Sequence, residues 1–91
     1  MKAAFTPEAL DQLSFWIKTD ARMARKILEL IELTKRDPYA GIGKPEPLKH
    51  NLGGCWSRRI TEEHRLVYRI IELGGEEALE IIACGHHYRR R

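Results

Sequence analysis

Asp37-Pro38 divides this chain into two kinds of pattern. A proline disfavours helical geometry in the residue before it, so a helix reaching Asp37 stops there. Before the break, apolar residues recur at spacings of three and four; well after it, they alternate. Helical segments followed by extended ones confine the chain to a small set of α+β arrangements. Ninety-one residues form a single domain, 1–91, with one modest core.

Lys2 to Phe5 suits a short first strand. Thr6-Pro7-Glu8 opens a helix, with a hydroxyl N-cap, a proline at the first helical position and an acid in the first turn. Leu10, Leu13 and Ile17 share one face of it, which predicts a buried stripe flanked by Trp16. Lys18 and Thr19 end this helix. Asp20 caps a second helix that runs to about Arg36. Met23, Ala24, Ile27, Leu28, Leu30, Ile31 and Leu33 form an arc wide enough for burial against both the first helix and a sheet.

Tyr39 to Gly54 reads as loop, interrupted by glycines and prolines. Cys55–Thr61 and Arg65–Ile71 are rich in β-branched and aromatic residues, and a short polar turn joins them into an antiparallel hairpin. Matching apolar with apolar pairs Ile60 with Leu66 and Thr61 with Arg65, leaving the loop Glu62-Glu63-His64. This places Arg59 and Arg65 on one solvated face. Arg58 falls on the mainly apolar face and is expected to snorkel to an edge. Leu73-Gly74-Gly75-Glu76 turns the chain into an inner strand, Ala78–Cys84. The expected architecture is α+β, with two N-terminal helices on one face of a four-stranded, mainly antiparallel sheet.

Composition narrows the function. The apolar fraction of 43% suits a globular chain. No apolar run reaches the roughly 20 residues that span a membrane, and no signal peptide is recognisable. A cytoplasmic protein is expected, with Cys55 and Cys84 as free packing residues. Neither cysteines nor histidines are spaced as zinc ligands, and no metal or other cofactor is expected. Net charge is +3, and residues 44–69 hold 6 cations against 3 anions. An anionic partner would be drawn there.

Cutting an RNA backbone without a metal takes a base for the 2′-hydroxyl, an acid for the 5′-oxygen and a cation for the phosphate. Glu46, stiffened by prolines on both sides, suits the base. Arg65 suits the cation, its fork matching phosphate oxygens. Lys49 and Arg59 would hold flanking phosphates. His87 suits the acid, since histidine ordinarily titrates near 6.5. Tyr88 would stack on a base or hydrogen-bond the phosphate. His50 and His64 are read as surface residues. The residues alone leave open a non-catalytic RNA- or ribosome-binding module.

Pro45-Glu46-Pro47-Leu48-Lys49-His50-Asn51-Leu52 and the run from Trp56 to Tyr68 closely resemble the YoeB family of toxins, within the RelE-like superfamily. Ala83-Cys84 and His87-Tyr88 resemble the family's C-terminal end. The resemblance implies a microbial-ribonuclease-like fold and a ribosome-dependent endonuclease that cuts messenger RNA in the A site, leaving a 2′,3′-cyclic phosphate. It implies Glu46 as base, Arg65 as charge stabiliser, His87 as acid and Tyr88 as substrate-orienting, with Lys49 and Arg59 on the RNA. It further implies a YefM-like antitoxin, a homodimer, and operator DNA bound only through the toxin–antitoxin complex. A degenerate toxin, acting only through its antitoxin, is the rival on this side. This chain departs from the family in Gly74-Gly75, in Cys55 where an aromatic is common, in His86 before His87, and in Arg89-Arg90-Arg91 after Tyr88.

Overall fold

The computed structural model describes residues 1–85. Strand β1 (Lys2–Phe5) leads into helices α1 (Pro7–Thr19) and α2 (Ala21–Arg36). Strands β2 (Glu46–Pro47), β3 (Trp56–Arg59), β4 (Arg65–Leu73) and β5 (Glu76–Cys84) follow, with a 3-10 turn at His50–Leu52. The strand order is β1-β5-β4-β3-β2. β1 runs parallel to β5, and the other neighbours are antiparallel.

The α+β expectation holds, but the sheet has five strands, not four. The extra strand is β2, in the segment expected to be loop. Prolines cannot donate to a ladder, so a run containing them reads as non-strand; they are tolerated at an edge, which is where β2 lies.

The caps form as the sequence predicts. Thr6 Oγ1 accepts from Ala9 N at 3.1 Å and donates to the Ile82 carbonyl at 3.2 Å. Ile82 is the extra residue of a bulge, since Val67 pairs with Ala83 and Tyr68 with Ile81. Asp20 serves both helices: its N–H donates to Trp16 O at 2.7 Å, and its Oδ1 accepts from Met23 N at 3.2 Å.

The buried face of α1 differs from the predicted stripe. Ala9 and Leu13 are buried, whereas Leu10 is 54% and Ile17 56% exposed. The small Ala9 lets the helix approach β5, where Cys84 Sγ donates to Ala9 O at 3.3 Å and Cys84 N donates to Gln12 Oε1 at 2.7 Å. On α2 the arc is narrower than predicted: Leu28 and Leu33 face outward. The core joins Ala9, Leu13, Met23, Ile27, Leu30 and Ile31 to Ile60, Leu66, Tyr68, Leu79, Ile81 and Cys84.

The hairpin register also differs. Arg58 pairs with Leu66 and Arg59 with Arg65, and residues 60–64 form the loop. Ile60 N and Thr61 N both donate to His64 O, at 2.8 and 3.1 Å. The slip is of two residues, so every side chain keeps its face. Apolar matching failed because Arg58 does not snorkel. It is only 1% exposed and opposes Leu66 within the core face.

Candidate functional site

The helices cover one face of the sheet, and the other face carries the chemistry. Glu46 pairs with Ser57, Ser57 with Val67, and Val67 with Ala83, so these four form one row across β2, β3, β4 and β5. One pleat along, on the same face, Arg59 stands directly opposite Arg65. Like charges placed opposite each other repel. Among the described residues neither arginine has a carboxylate partner; Arg65 Nη1 instead donates to Ser57 Oγ at 3.0 Å. Further along β4, Arg69 is neutralised by Glu80 at 2.7 Å. Of the arginines that β3 and β4 place on this face, Arg59 and Arg65 are thus the two without an ion pair among the described residues.

Glu46 and Lys49 are exposed and enter from the loop side. Their segment is bracketed by two residues in the left-handed region, Lys44 (φ 51) and His50 (φ 63). Side chains rarely adopt that conformation, and such strain persists only where the surroundings enforce it. Here Arg59 N donates to Gly43 O at 2.7 Å, and Leu48 N donates to Cys55 O at 2.9 Å. The two hydrogen bonds clamp the segment against β3.

Four of the six predicted site residues, Glu46, Lys49, Arg59 and Arg65, thus lie on or beside one face. His87 and Tyr88, with His86 and Arg89 to Arg91, lie outside the described residues. Gly85, the last residue described, follows the Leu66–Cys84 pair at the Arg65 end of β4. Trp16 Nε1 donates to the Gly85 carbonyl at 2.8 Å. His50 is exposed as expected, but His64 is half-buried, its ring edge-on to Trp16 at 5.2 Å.

Ser57 is a site residue that sequence reasoning did not single out. Alternation had put it on the face of Arg59, and its burial at 1% beside Arg65 was the missing fact. Next to Arg59, a groove of about 460 Å³ opens between α2 and residues 42–44, lined by Leu30, Leu33, Ile42 and Ile60 together with Lys26, Glu29 and Lys44. Among the described residues no cluster of His, Cys, Asp and Glu is grouped to hold a metal. No helix among them is long and apolar enough to cross a membrane. Both cysteines are free and buried, and burial pushes the Cys84 thiol up to about 11.

Two helices on one face of a small mixed sheet, with unpaired cations gathered on the other, define a compact α+β protein suited to an anionic partner. The family of YoeB-like toxins of bacterial type II toxin-antitoxin systems matches residues 5–88. Toxin YoeB of Escherichia coli strain K12 is 53% identical over 97% of this chain and 100% of its own length. The YoeB/ParE toxin from Agrobacterium tumefaciens superposes with a TM-score of 0.87 at 55% identity, covering 97% of this chain and 100% of that one. Staphylococcus aureus YoeB, in a heterotetrameric YoeB-YefM toxin-antitoxin complex, gives 0.82 at 39% identity, covering 97% and 98%; it has also been solved as a dimer. The chain belongs to the YoeB-like toxin family, and it is the toxin of a type II toxin-antitoxin system.

Proposed function

We propose that this toxin is an endoribonuclease that cuts messenger RNA in the A site of the ribosome by attack of the 2′-hydroxyl on the adjacent phosphate. The observation that carries the reading is the Arg59–Arg65 pair: two cations opposite each other in the ladder with no carboxylate partner among the described residues, one braced by Ser57, beside the row that contains Glu46. A phosphate between the guanidinium forks relieves their repulsion and is held through charge-assisted hydrogen bonds.

Glu46 takes the proton from the 2′-hydroxyl. Arg65 stabilises the charge that develops on the phosphorane oxygens. Arg59 and Lys49 hold the flanking phosphates. His87 protonates the 5′-oxygen as it leaves, and Tyr88 orients the substrate. His87 is two residues past Gly85, a reach of at most about 7 Å from a point beside Arg65. The products are a 2′,3′-cyclic phosphate and a 5′-hydroxyl.

The Staphylococcus relative, found both with YefM and as a dimer, supports a YefM-like antitoxin and a homodimer for this chain. The apolar groove beside Arg59, lined by three cations, Lys26, Lys44 and Arg59, against one acid, Glu29, suits an apolar antitoxin segment that carries acidic residues. The toxin meets operator DNA only through that complex, and it acts in the cytoplasm.

Primer extension on messenger from translating ribosomes tests the reading. New 5′ ends within A-site codons are expected with the intact protein. They should vanish when the nucleotide 5′ of the cut carries a 2′-deoxyribose. The absence of new ends with intact protein would mean binding without cleavage.

A further inference from the structure

Arg58 heads the largest fully buried side chains, and no step of the cleavage uses it. It leaves β3 on the helix side, the face opposite Arg59. Its Nη2 donates to Asp37 O at 2.7 Å and to Ala40 O at 2.6 Å. Its Nε is buried and makes no hydrogen bond. Among the described residues no carboxylate forms an ion pair with it. A guanidinium held this way is a poor source of stability, because desolvating the charge offsets what the carbonyls return. An apolar side chain of similar length would serve the core at least as well.

The arrangement does fix the loop after α2. Asp37 is the C-cap of α2, where the helix dipole leaves negative partial charge that suits a cation. From there the loop lies across the Arg58 side chain. Gly43 (φ +88) comes so close that a Cβ would stand 2.7 Å from Arg58 Cγ and 2.8 Å from Arg59 O. Tyr68, also on this face, donates its hydroxyl to Pro38 O at 2.6 Å. Just beyond Gly43 the chain enters β2, with Glu46 opposite Ser57.

We propose that Arg58 is a positioning residue for Glu46. One guanidinium ties the end of α2 and the 37–43 loop to β3, so that Glu46 emerges at a single place on the opposite face. The inference rests on the reading of Glu46 as the base.

The test compares four full-length toxins, wild type, Glu46→Ala, Arg58→Met and the double variant, in single-turnover cleavage of a messenger in programmed ribosomes. Arg58→Met should fold and keep its half-saturating ribosome concentration. Its rate at saturation should fall about 10- to 100-fold, the penalty for a catalytic group misplaced by about an ångström. In the Glu46→Ala background the same substitution should cost nothing further. Wild-type cleavage by Arg58→Met, or losses that multiply in the double variant, would overturn the proposal. If Glu46→Ala itself cleaves at the wild-type rate, it is the base assignment that has failed. Should Arg58→Met not fold, Tyr68→Phe decides: it removes the hydroxyl that bonds Pro38 O and interacts with the Arg58 guanidinium in the same anchorage of the loop. A saturating-rate loss that disappears in the Glu46→Ala background supports the positioning of Glu46 through Arg58 and its loop, and an unchanged rate rejects it.

Discussion

Among the described residues Arg65 has two neighbours that matter, and neither is an acid. Across the ladder stands Arg59, and at 3.0 Å from Nη1 is the buried Ser57 hydroxyl. A hydrogen bond to a charged group contributes about 1.5–3 kcal/mol. Ser57→Ala should therefore lower cleavage at saturation by roughly tenfold or more, through a guanidinium that wanders. Arg65→Ala should cost about 10²–10³-fold, as for loss of a main donor to a transition-state oxyanion. Both variants should keep the circular dichroism of wild type, and any fall in unfolding midpoint should not exceed the loss of the one Ser57–Arg65 hydrogen bond, which is the bond Arg65 makes among the described residues. Collapse of the fold in Arg65→Ala would mean that its role is architectural. The shared face of Arg59 and Arg65 was legible in the sequence despite a misjudged register, because a slip of two residues preserves every face. The face of Arg58 was legible too, but its burial was not. Nothing in a one-dimensional pattern announces that a charged residue will be buried against the carbonyls of a loop 18 to 21 positions away.

The helices show the same division between local and long-range information. Caps are local: Thr6, Asp20 and Asp37-Pro38 set the ends of α1 and α2 where the sequence predicts them. Which face is buried is decided by what the helix meets. Of the predicted stripe Leu13 is buried, whereas Leu10 and Ile17 lose their place and Ala9 gains one because β5 makes a close approach at Cys84. The edge strand β2 stayed hidden for another reason, since prolines disguise strand character everywhere except at an edge. Thr6 joins the two kinds of information. It caps α1 and also fills the bulge at Ile82. Thr6→Ala should lose the cap, worth about 1 kcal/mol, and leave the Ile82 carbonyl without its side-chain donor. A total loss of about 1.5–3 kcal/mol is expected from urea unfolding. A loss of only the cap's share would show that the bulge does not depend on Thr6.

At the scale of the whole molecule, two acids are held neutral where the helices meet the sheet. Burial pushes the Cys84 thiol from 9.0 to about 11. Burial likewise raises the Tyr68 hydroxyl above its ordinary 10.0, with Arg58 pulling the other way. In each case the folded chain keeps a proton that the unfolded chain gives up more readily. Between the two pKa values the unfolded state binds fewer protons, so stability falls as pH rises. The contribution from Cys84 is fully present below pH 9.0 and is lost as pH rises through about 11. The contribution from Tyr68 declines over a window that opens at 10.0. Lysines titrate in the same range, so the informative quantity is a difference between proteins. Unfolding free energies of wild type and Cys84→Ala, measured by urea at intervals from about pH 8 to about pH 11, should converge as pH rises. The variant starts lower, having lost packing and the Sγ–Ala9 contact, but it has no thiol to ionise. Parallel curves would mean that the thiol ionises as easily in the folded chain as in the unfolded one. Convergence would place the alkaline weakness at the seam of α1 and β5, where Cys84 meets Ala9 and Gln12.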